Sequence, residues 1–266
     1  MVVSTEIGIL AALVLAVCLI GFKKYVWFIS IGYGLSVFII GAGLLFMLGG
    51  EPNLVSIIWC VVLMCFGLRL GGYLTIRERN SAYQNKMKGE ISDGSHMPFM
   101  AKIALWISCA LLYLCMCAPV IYRVTNHAPG DVCAIVGAIV SVAGIVLEAS
   151  SDLQKSRAKK ENPRRFCDTG LFKIVRCPNY LGELLIWTGV LISAFTADLS
   201  VGQWIVSIIG YVGIVYVMFS GARRLEIRHD KHYGDDPEYI AYKERTPIII
   251  PLVPLYSVKK HTWLVG

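Results

Sequence analysis

Seven apolar runs constrain this chain more than any other feature of its sequence. A helix rises 1.5 Å per residue, so about 20 apolar residues are needed to cross the roughly 30 Å of hydrocarbon in a bilayer. The runs are close to that length and lie at residues 7–22, 25–48, 54–75, 99–122, 131–150, 180–197 and 201–222. They predict an all-α, polytopic membrane protein with about seven transmembrane helices.

The composition agrees with a chain that lipid solvates. Hydrophobic residues make up 56% of the chain, charged residues only 16%, and the mean hydropathy is +0.63. A soluble core of this length hides less apolar surface than that. Most of the nine cysteines lie inside apolar runs, where they act as small hydrophobic side chains, and none stands at a zinc-binding spacing. We expect contact with membrane lipids, and neither a metal nor a nucleic acid.

Basic residues predict the orientation of the chain in the membrane. The connections at 49–53, 123–130 and 198–200 carry one basic residue, Arg123. The other connections and the tail hold most of the rest, among them Arg77, Arg79, Lys86, Lys88, Arg223, Arg224, Arg228 and Lys231. By the positive-inside rule, the N-terminus lies outside and the C-terminus is cytoplasmic. We expect a bacterial cytoplasmic membrane, with the endoplasmic reticulum as the alternative.

The fifth run continues into a polar helix with ionisable residues on one face. Glu148, Asp152, Lys155 and Lys159 recur every three to four residues, until Pro163 ends the helix. Because two carboxylates four residues apart repel each other, they favour a partner such as ribose hydroxyls, an adenine amine or an arginine. A solvated helix end with salt bridges is the alternative.

A second polar group leads into the sixth run. After Arg164 and Arg165, Asn179 and Glu183 fall on one helical face. A carboxylate one turn inside the hydrocarbon costs several kcal/mol unless it is paired, so Glu183 indicates a functional site.

Two further faces carry polar residues at helical spacing. Glu226, His229 and Tyr233 lie on one face after the last run, and Arg69 and Tyr73 share a face of the third run. A solvated tail helix explains the first group as well as a binding role does, and snorkelling explains Arg69 almost as well as a ligand contact.

Three motifs together resemble the steroid 5-alpha-reductase-like membrane enzymes, which include bacterial relatives of unassigned function. They are Ser151-Asp152-Leu-Gln, Gly170-Leu-Phe and Asn179-Tyr-Leu-Gly-Glu183. In that family, seven helices hold NADPH at the cytoplasmic side, and a hydride passes to the carbon-carbon double bond of an enone. The resemblance implies an NADPH-dependent reductase of an apolar enone, such as a 3-oxo-4-ene steroid or related lipid.

The resemblance also implies roles for individual residues in one membrane domain of residues 1–266. Residues 1–98 would line the substrate side, and residues 99–266 would form the cofactor site. The implied cofactor-binding residues are Arg69, Arg77, Glu148, Asp152, Lys159, Arg164, Arg165, Asn179, Tyr180, Glu183, Glu226, His229 and Tyr233. Of these, Asn179 and Glu183 would hold the nicotinamide.

At two positions, this chain lacks the residues that would act as proton donors in the family. The catalytic tyrosine of the family falls at Phe66, and its glutamate falls near Ile31. By residue type Tyr73 and Tyr33 replace them, and Glu183 is the third catalytic candidate.

The alternative function is an S-adenosylmethionine-dependent membrane methyltransferase of the isoprenylcysteine carboxyl type. Those enzymes resemble this chain in their C-terminal helices, but they usually carry histidine where Cys177 stands. A bundle without enzymatic activity is the third interpretation.

Overall fold

The part of the protein that the structure describes is mostly helical. The computed structural model describes residues 5–48, 53–79 and 97–265, and these contain no strand. The α-helices are α1 Thr5–Cys18, α2 Ile31–Met47, α3 Leu54–Arg79, α4 Phe99–Thr125, α5 Val132–Glu161, α6 Pro178–Ile192, α7 Val201–Tyr233 and α8 Pro237–Arg245. The predicted all-α fold class is confirmed.

Six helical segments of the described residues are long and apolar enough to cross a membrane. This agrees with the prediction of a multi-pass membrane protein. The predicted run at 180–197 corresponds to α6, whose 15 residues extend about 22 Å. The count of seven spans and the orientation of the termini therefore stay predictions. Lys86 and Lys88, which entered the orientation argument, lie outside the described residues.

Backbone contacts divide the chain into two compact units. The first unit comprises Met1–Ala138 and Val190–Tyr211, and the second comprises Ile139–Gly189 and Val212–Gly266. The first unit thus takes in residues 99–138, which the resemblance placed in the cofactor half. Organisation as one domain stays a prediction.

Small residues let α2 and α3 pack closely in the first unit. A Cβ on Gly34 would lie 2.6 Å from the backbone nitrogen of Gly71, and one on Gly67 would lie 2.5 Å from the carbonyl oxygen of Gly34. Such spacing of small residues allows helix backbones to approach in lipid.

The first unit also contains a buried arginine. Arg123 in α4 is 1% exposed, donates 2.9 Å to the Ser193 carbonyl oxygen and forms an ion pair with Asp131. A buried guanidinium needs such partners. Burial alone would raise the pKa of Asp131, but hydrogen bonds from Thr196 and the Ala134 amide, with the Arg123 charge, lower it overall.

In the second unit, α5 crosses α6 at two glycines. A Cβ on Gly144 would lie 2.6 Å from the Gly182 carbonyl oxygen, and the Ser141 hydroxyl donates 2.8 Å to the Ile186 carbonyl oxygen. An apolar core adjoins this crossing and includes Cys177, Leu184, Ala222, Ile248, Ile249, Val258 and Leu264. The second unit holds the polar residues described next.

Candidate functional site

Two buried carboxylates flank the crossing of α5 and α6. Glu148 is 4% exposed and Glu183 is 5% exposed. The Trp187 indole nitrogen, one helical turn on, donates to Glu183 Oε1 over 3.0 Å. A Cβ on Gly182 would lie 2.8 Å from the Glu148 backbone nitrogen, so the missing side chain brings the backbones of both acids together.

A cationic cavity lies in the second unit. Lys155, Lys159, Arg176, His229 and Tyr242 line it, together with two phenylalanines, a cysteine and a leucine. Its volume is about 20 Å³, which is room for about one water molecule. Three cations beside aromatic rings form a donor set suited to an anion, because guanidinium and ammonium groups bind phosphate strongly.

The loop between α5 and α6 is held against α5 by side chains of that helix. Gln154 Oε1 accepts from the Leu171 backbone nitrogen over 3.0 Å, beside Gly170, whose φ of +56° favours glycine. The Lys159 ammonium donates to the Arg165 carbonyl oxygen and, over 3.0 Å, to the Tyr233 hydroxyl. Through these bonds the Lys159 side chain lies at the cavity.

A buried glutamate binds the C-terminal tail, which we define as residues 247–265. Glu226 is 2% exposed and accepts from the Val258 backbone nitrogen over 2.9 Å. Its Oε1 lies 3.5 Å from Arg176 Nη2 and 3.3 Å from Lys243 Nζ. Arg176 in turn donates to the Tyr256 carbonyl oxygen. Arg176 therefore connects the cavity to the tail.

Asp230 extends this ion-pair network. It accepts from Lys243 Nζ over 2.7 Å, from Lys259 Nζ over 2.9 Å and from the Tyr239 hydroxyl over 3.0 Å. Burial, followed by the Asp230 charge, raises the pKa of Tyr239, so its hydroxyl stays protonated and remains a donor. Burial likewise raises the pKa of Tyr242, which donates 2.7 Å to the Phe172 carbonyl oxygen.

Several predicted site residues of the second unit are exposed or half-buried. The Arg165 side chain is 43% exposed and pairs with Glu238 at 2.5 Å and with Asp168 at 3.0 Å. The hydrogen bond to Glu238 is the main cause that raises the pKa of Arg165. Arg164 is exposed, while Asp152 and Asn179 are half-buried.

The predicted residues Tyr180, His229 and Tyr233 make aromatic contacts within the same unit. The Tyr180 hydroxyl would lie 3.2 Å from a Cβ on Gly221. The Tyr233 ring lies 5.7 Å from the His229 ring and 5.8 Å from the Phe166 ring. Tyr233 therefore joins His229 to the aromatic cluster of Phe166, Tyr239 and Tyr242.

The remaining predicted residues belong to the first unit. In α3, the Arg69 and Arg77 guanidiniums each lie 5.7 Å from the Tyr73 ring centre. Tyr33 in α2 is 7% exposed and stacks on Tyr113, with ring centres 4.9 Å apart. Tyr73 is half-buried, and it is flanked by positive charge.

Lys155 and Arg176 line the cavity, but they were not among the cofactor-binding residues that the resemblance implied. Lys155 follows Asp152 by three residues and precedes Lys159 by four, so its spacing was a usable signal. Arg176 gave no such signal, because its partners Glu226 and Tyr256 come 50 and 80 residues later in the chain. Among the described residues, no group of three or more His, Cys, Asp or Glu side chains could hold a metal ion.

Comparisons relate the chain to known proteins. The family model described as "Protein of unknown function (DUF1295)" matches residues 17–246. Over 57 residues, which are 21% of this chain and 22% of the relative, the chain is 37% identical to steroid 5-alpha-reductase DET2 of Arabidopsis thaliana. The match thus spans about a fifth of the plant protein. No solved structure gives a significant match.

Proposed function

Because the chain belongs to the DUF1295 family, which is related to steroid 5-alpha-reductases, we propose that it is a membrane reductase that uses NADPH. Its substrate is an apolar enone, such as a 3-oxo-4-ene steroid or a related lipid. The cofactor site lies in the second unit. The two candidates for the proton donor, Tyr73 and Tyr33, belong to the first unit. The cationic cavity carries this proposal.

The cavity residues fit the phosphates of a dinucleotide. Lys155, Lys159 and Arg176 supply positive charge, and the Nε atom of Arg176 is buried without a hydrogen-bond partner. Buried donors of this kind are costly unless an acceptor reaches them. Since the cavity has room for about one water molecule, the flexible lysine side chains must move outward to admit a phosphate.

Asn179 and Glu183 suit the nicotinamide end. A carboxamide needs a donor and an acceptor, which an Asn and a Glu supply together. Trp187 holds Glu183 Oε1, and this fixes the carboxylate before any ligand arrives. When bound, NADPH supplies the hydride, while the protein orients the cofactor and excludes water.

Reduction of an enone also needs positive charge or an acid near the carbonyl oxygen, where negative charge develops. Tyr73, with Arg69 and Arg77 each 5.7 Å from its ring, offers both a phenolic proton and guanidinium charge. We therefore prefer Tyr73 over Tyr33, which is packed between aromatic rings.

Ligand-induced thermal stabilisation tests the proposal. Detergent-purified protein is heated with NADPH, with S-adenosylmethionine or with neither. A ligand at a hundred times its dissociation constant adds about 2.7 kcal/mol of stability. We expect NADPH to raise the melting temperature, and NADPH absorbance to fall when an enone steroid is added. Neither the family match nor the plant relative supports the methyltransferase alternative. Stabilisation by S-adenosylmethionine alone would overturn the proposal that the protein is a reductase.

The variant Glu183→Gln shows whether the effect is specific. It keeps an acceptor for Trp187 but removes the charge, and we expect it to weaken the NADPH shift. Glu161→Gln, at the exposed end of α5, is the matched control and should keep the full shift. Equal losses in both variants would indicate a nonspecific charge effect.

A further inference from the structure

The end of the C-terminal tail lies along a membrane-spanning helix. The Tyr216 hydroxyl in α7 donates 3.0 Å to the Trp263 carbonyl oxygen and accepts from the Val265 backbone nitrogen over 3.2 Å. The Tyr216 and Trp263 rings lie 6.1 Å apart. The segment at Trp263–Val265 is therefore a defined structure attached to this helix.

The depth of this segment follows from the helix that holds it. Arg223 is the first basic residue after the apolar part of α7, and Tyr216 precedes it by seven residues, about 10 Å along the axis. Helical side chains tilt toward the N-terminus, which takes the Tyr216 hydroxyl further into the apolar zone. Arg223 donates 3.1 Å to the Lys259 carbonyl oxygen. From Lys259 to Trp263, the tail therefore descends from the charged level of α7 to its apolar level.

The side chains of this segment point in two directions. Leu264 is 2% exposed and belongs to the core, whereas Trp263 is 65% exposed and Val265 is 71% exposed. Because Leu264 and two side chains of α7 hold the backbone, the exposure of Trp263 is a fixed feature. On α7 itself, Val212 and Val217, four residues before and one residue after Tyr216, are also exposed apolar side chains.

A second apolar side chain protrudes from the tail at Leu252. It is 99% exposed, and its φ of +66° is a conformation that leucine rarely adopts. The turn that carries it is closed by a 2.9 Å hydrogen bond from the Ile248 backbone nitrogen to the Leu255 carbonyl oxygen. A second bond, from the Cys177 backbone nitrogen to the Ile248 carbonyl oxygen, ties the turn to the start of the apolar helix α6.

We propose that the tail is a membrane-interface anchor, in which Trp263 and Leu252 insert among the lipid head groups and upper acyl chains. Lys260 and His261, both exposed and just before Trp263, face the lipid phosphates. Tryptophan beside basic residues is the arrangement found at membrane interfaces, where the ring is apolar and the cations meet phosphate. The tail also binds Glu226 and Arg176, so the anchor joins the membrane surface to the ion pairs beside the cavity.

Fluorescence quenching in lipid vesicles tests this anchor. The intact protein and the variant Trp263→Phe are reconstituted into phosphatidylcholine vesicles, and the difference in their emission gives the contribution of Trp263. Vesicles of lipid brominated near the head group should quench most of that contribution, while iodide in the water should quench little of it. Trp59→Phe is the control, because Trp59 is fully buried and its contribution should resist both quenchers.

Two results would overturn the proposal. Quenching of the Trp263 contribution by iodide but not by brominated lipid would place the ring in water. Resistance to both quenchers would place it against protein, as in a contact with a second copy. A second reporter, Leu252→Trp in the Trp263→Phe background, should also be quenched by brominated lipid; quenching by iodide alone would show that the turn lies off the membrane.

Discussion

Gly144 and Gly182 contact each other through their backbones where α5 crosses α6. A Cβ on Gly182 would lie 2.8 Å from the Gly144 carbonyl oxygen and 2.8 Å from the Glu148 backbone nitrogen. Both neighbours are backbone atoms, which cannot rotate away as a flexible side chain can. The position of Glu183, the next residue, depends on this contact.

The variant Gly182→Ala should separate α5 from α6. We expect a loss of about 1–3 kcal/mol of stability, as overpacking typically costs. The apparent melting temperature in detergent should fall by several degrees, and the NADPH shift should weaken. Gly72→Ala is the control: a Cβ there meets nothing within 4 Å, so the melting temperature should hold or rise slightly. Similar losses in both variants would contradict the importance of the crossing.

Removal of one cavity cation should weaken cofactor binding. Lys155→Met takes away a lysine of the cavity, and a hydrogen bond to a charged group contributes about 1.5–3 kcal/mol. The dissociation constant for NADPH should rise about ten- to hundredfold, measured by titration calorimetry. Lys160→Met removes the same charge from an exposed position outside the cavity, and it should leave the affinity nearly unchanged. Equal affinities in the two variants would show that the phosphates bind elsewhere.

Neutralisation of Glu226 should release the tail. Glu226→Gln leaves the buried Arg176 and its neighbour Lys243 without the carboxylate that both contact. Loss of one partner of a buried ion pair costs about 3–5 kcal/mol. Trypsin should therefore cut at Lys259 and Lys260 much faster than in the unmodified protein. Glu244→Gln, at an exposed position, should not change the cleavage rate. An unchanged rate in Glu226→Gln would show that the tail is held without this ion pair.

Alkaline pH should destabilise the protein partly through Cys177. Burial raises the pKa of this thiol from 9.0 to about 11, so the folded protein keeps a proton that the unfolded chain releases. Stability therefore falls as the pH rises from 9.0 to about 11, by roughly 3 kcal/mol for two pKa units. In Cys177→Ala, the melting temperature should decline less steeply over this range. In Cys65→Ala, which removes an exposed thiol, the melting temperature should decline as steeply as in the unmodified protein.

Local spacing in the sequence accounts for some contacts of the candidate residues, while their roles in a site stay predictions. The four-residue spacing of Glu183 and Trp187 within one helix produces their 3.0 Å hydrogen bond, and the spacing of Arg69, Tyr73 and Arg77 places both guanidiniums at one ring. The contacts of Arg165 were harder to predict. The resemblance implied that Arg165 binds the cofactor, and its side chain pairs with Glu238 at the surface, because helix α8 brings that carboxylate to it.

The sequence by itself determined that this chain spans a membrane, since apolar length and the position of charges are properties of each segment taken alone. Only the tertiary structure decided which polar residues meet. Arg176 contacts Glu226, and Trp263 contacts Tyr216, across 50 and 47 positions of the chain. The physical reason is that such pairs depend on how glycines, turns and buried cores bring distant helices together, and no periodicity within one helix encodes that arrangement.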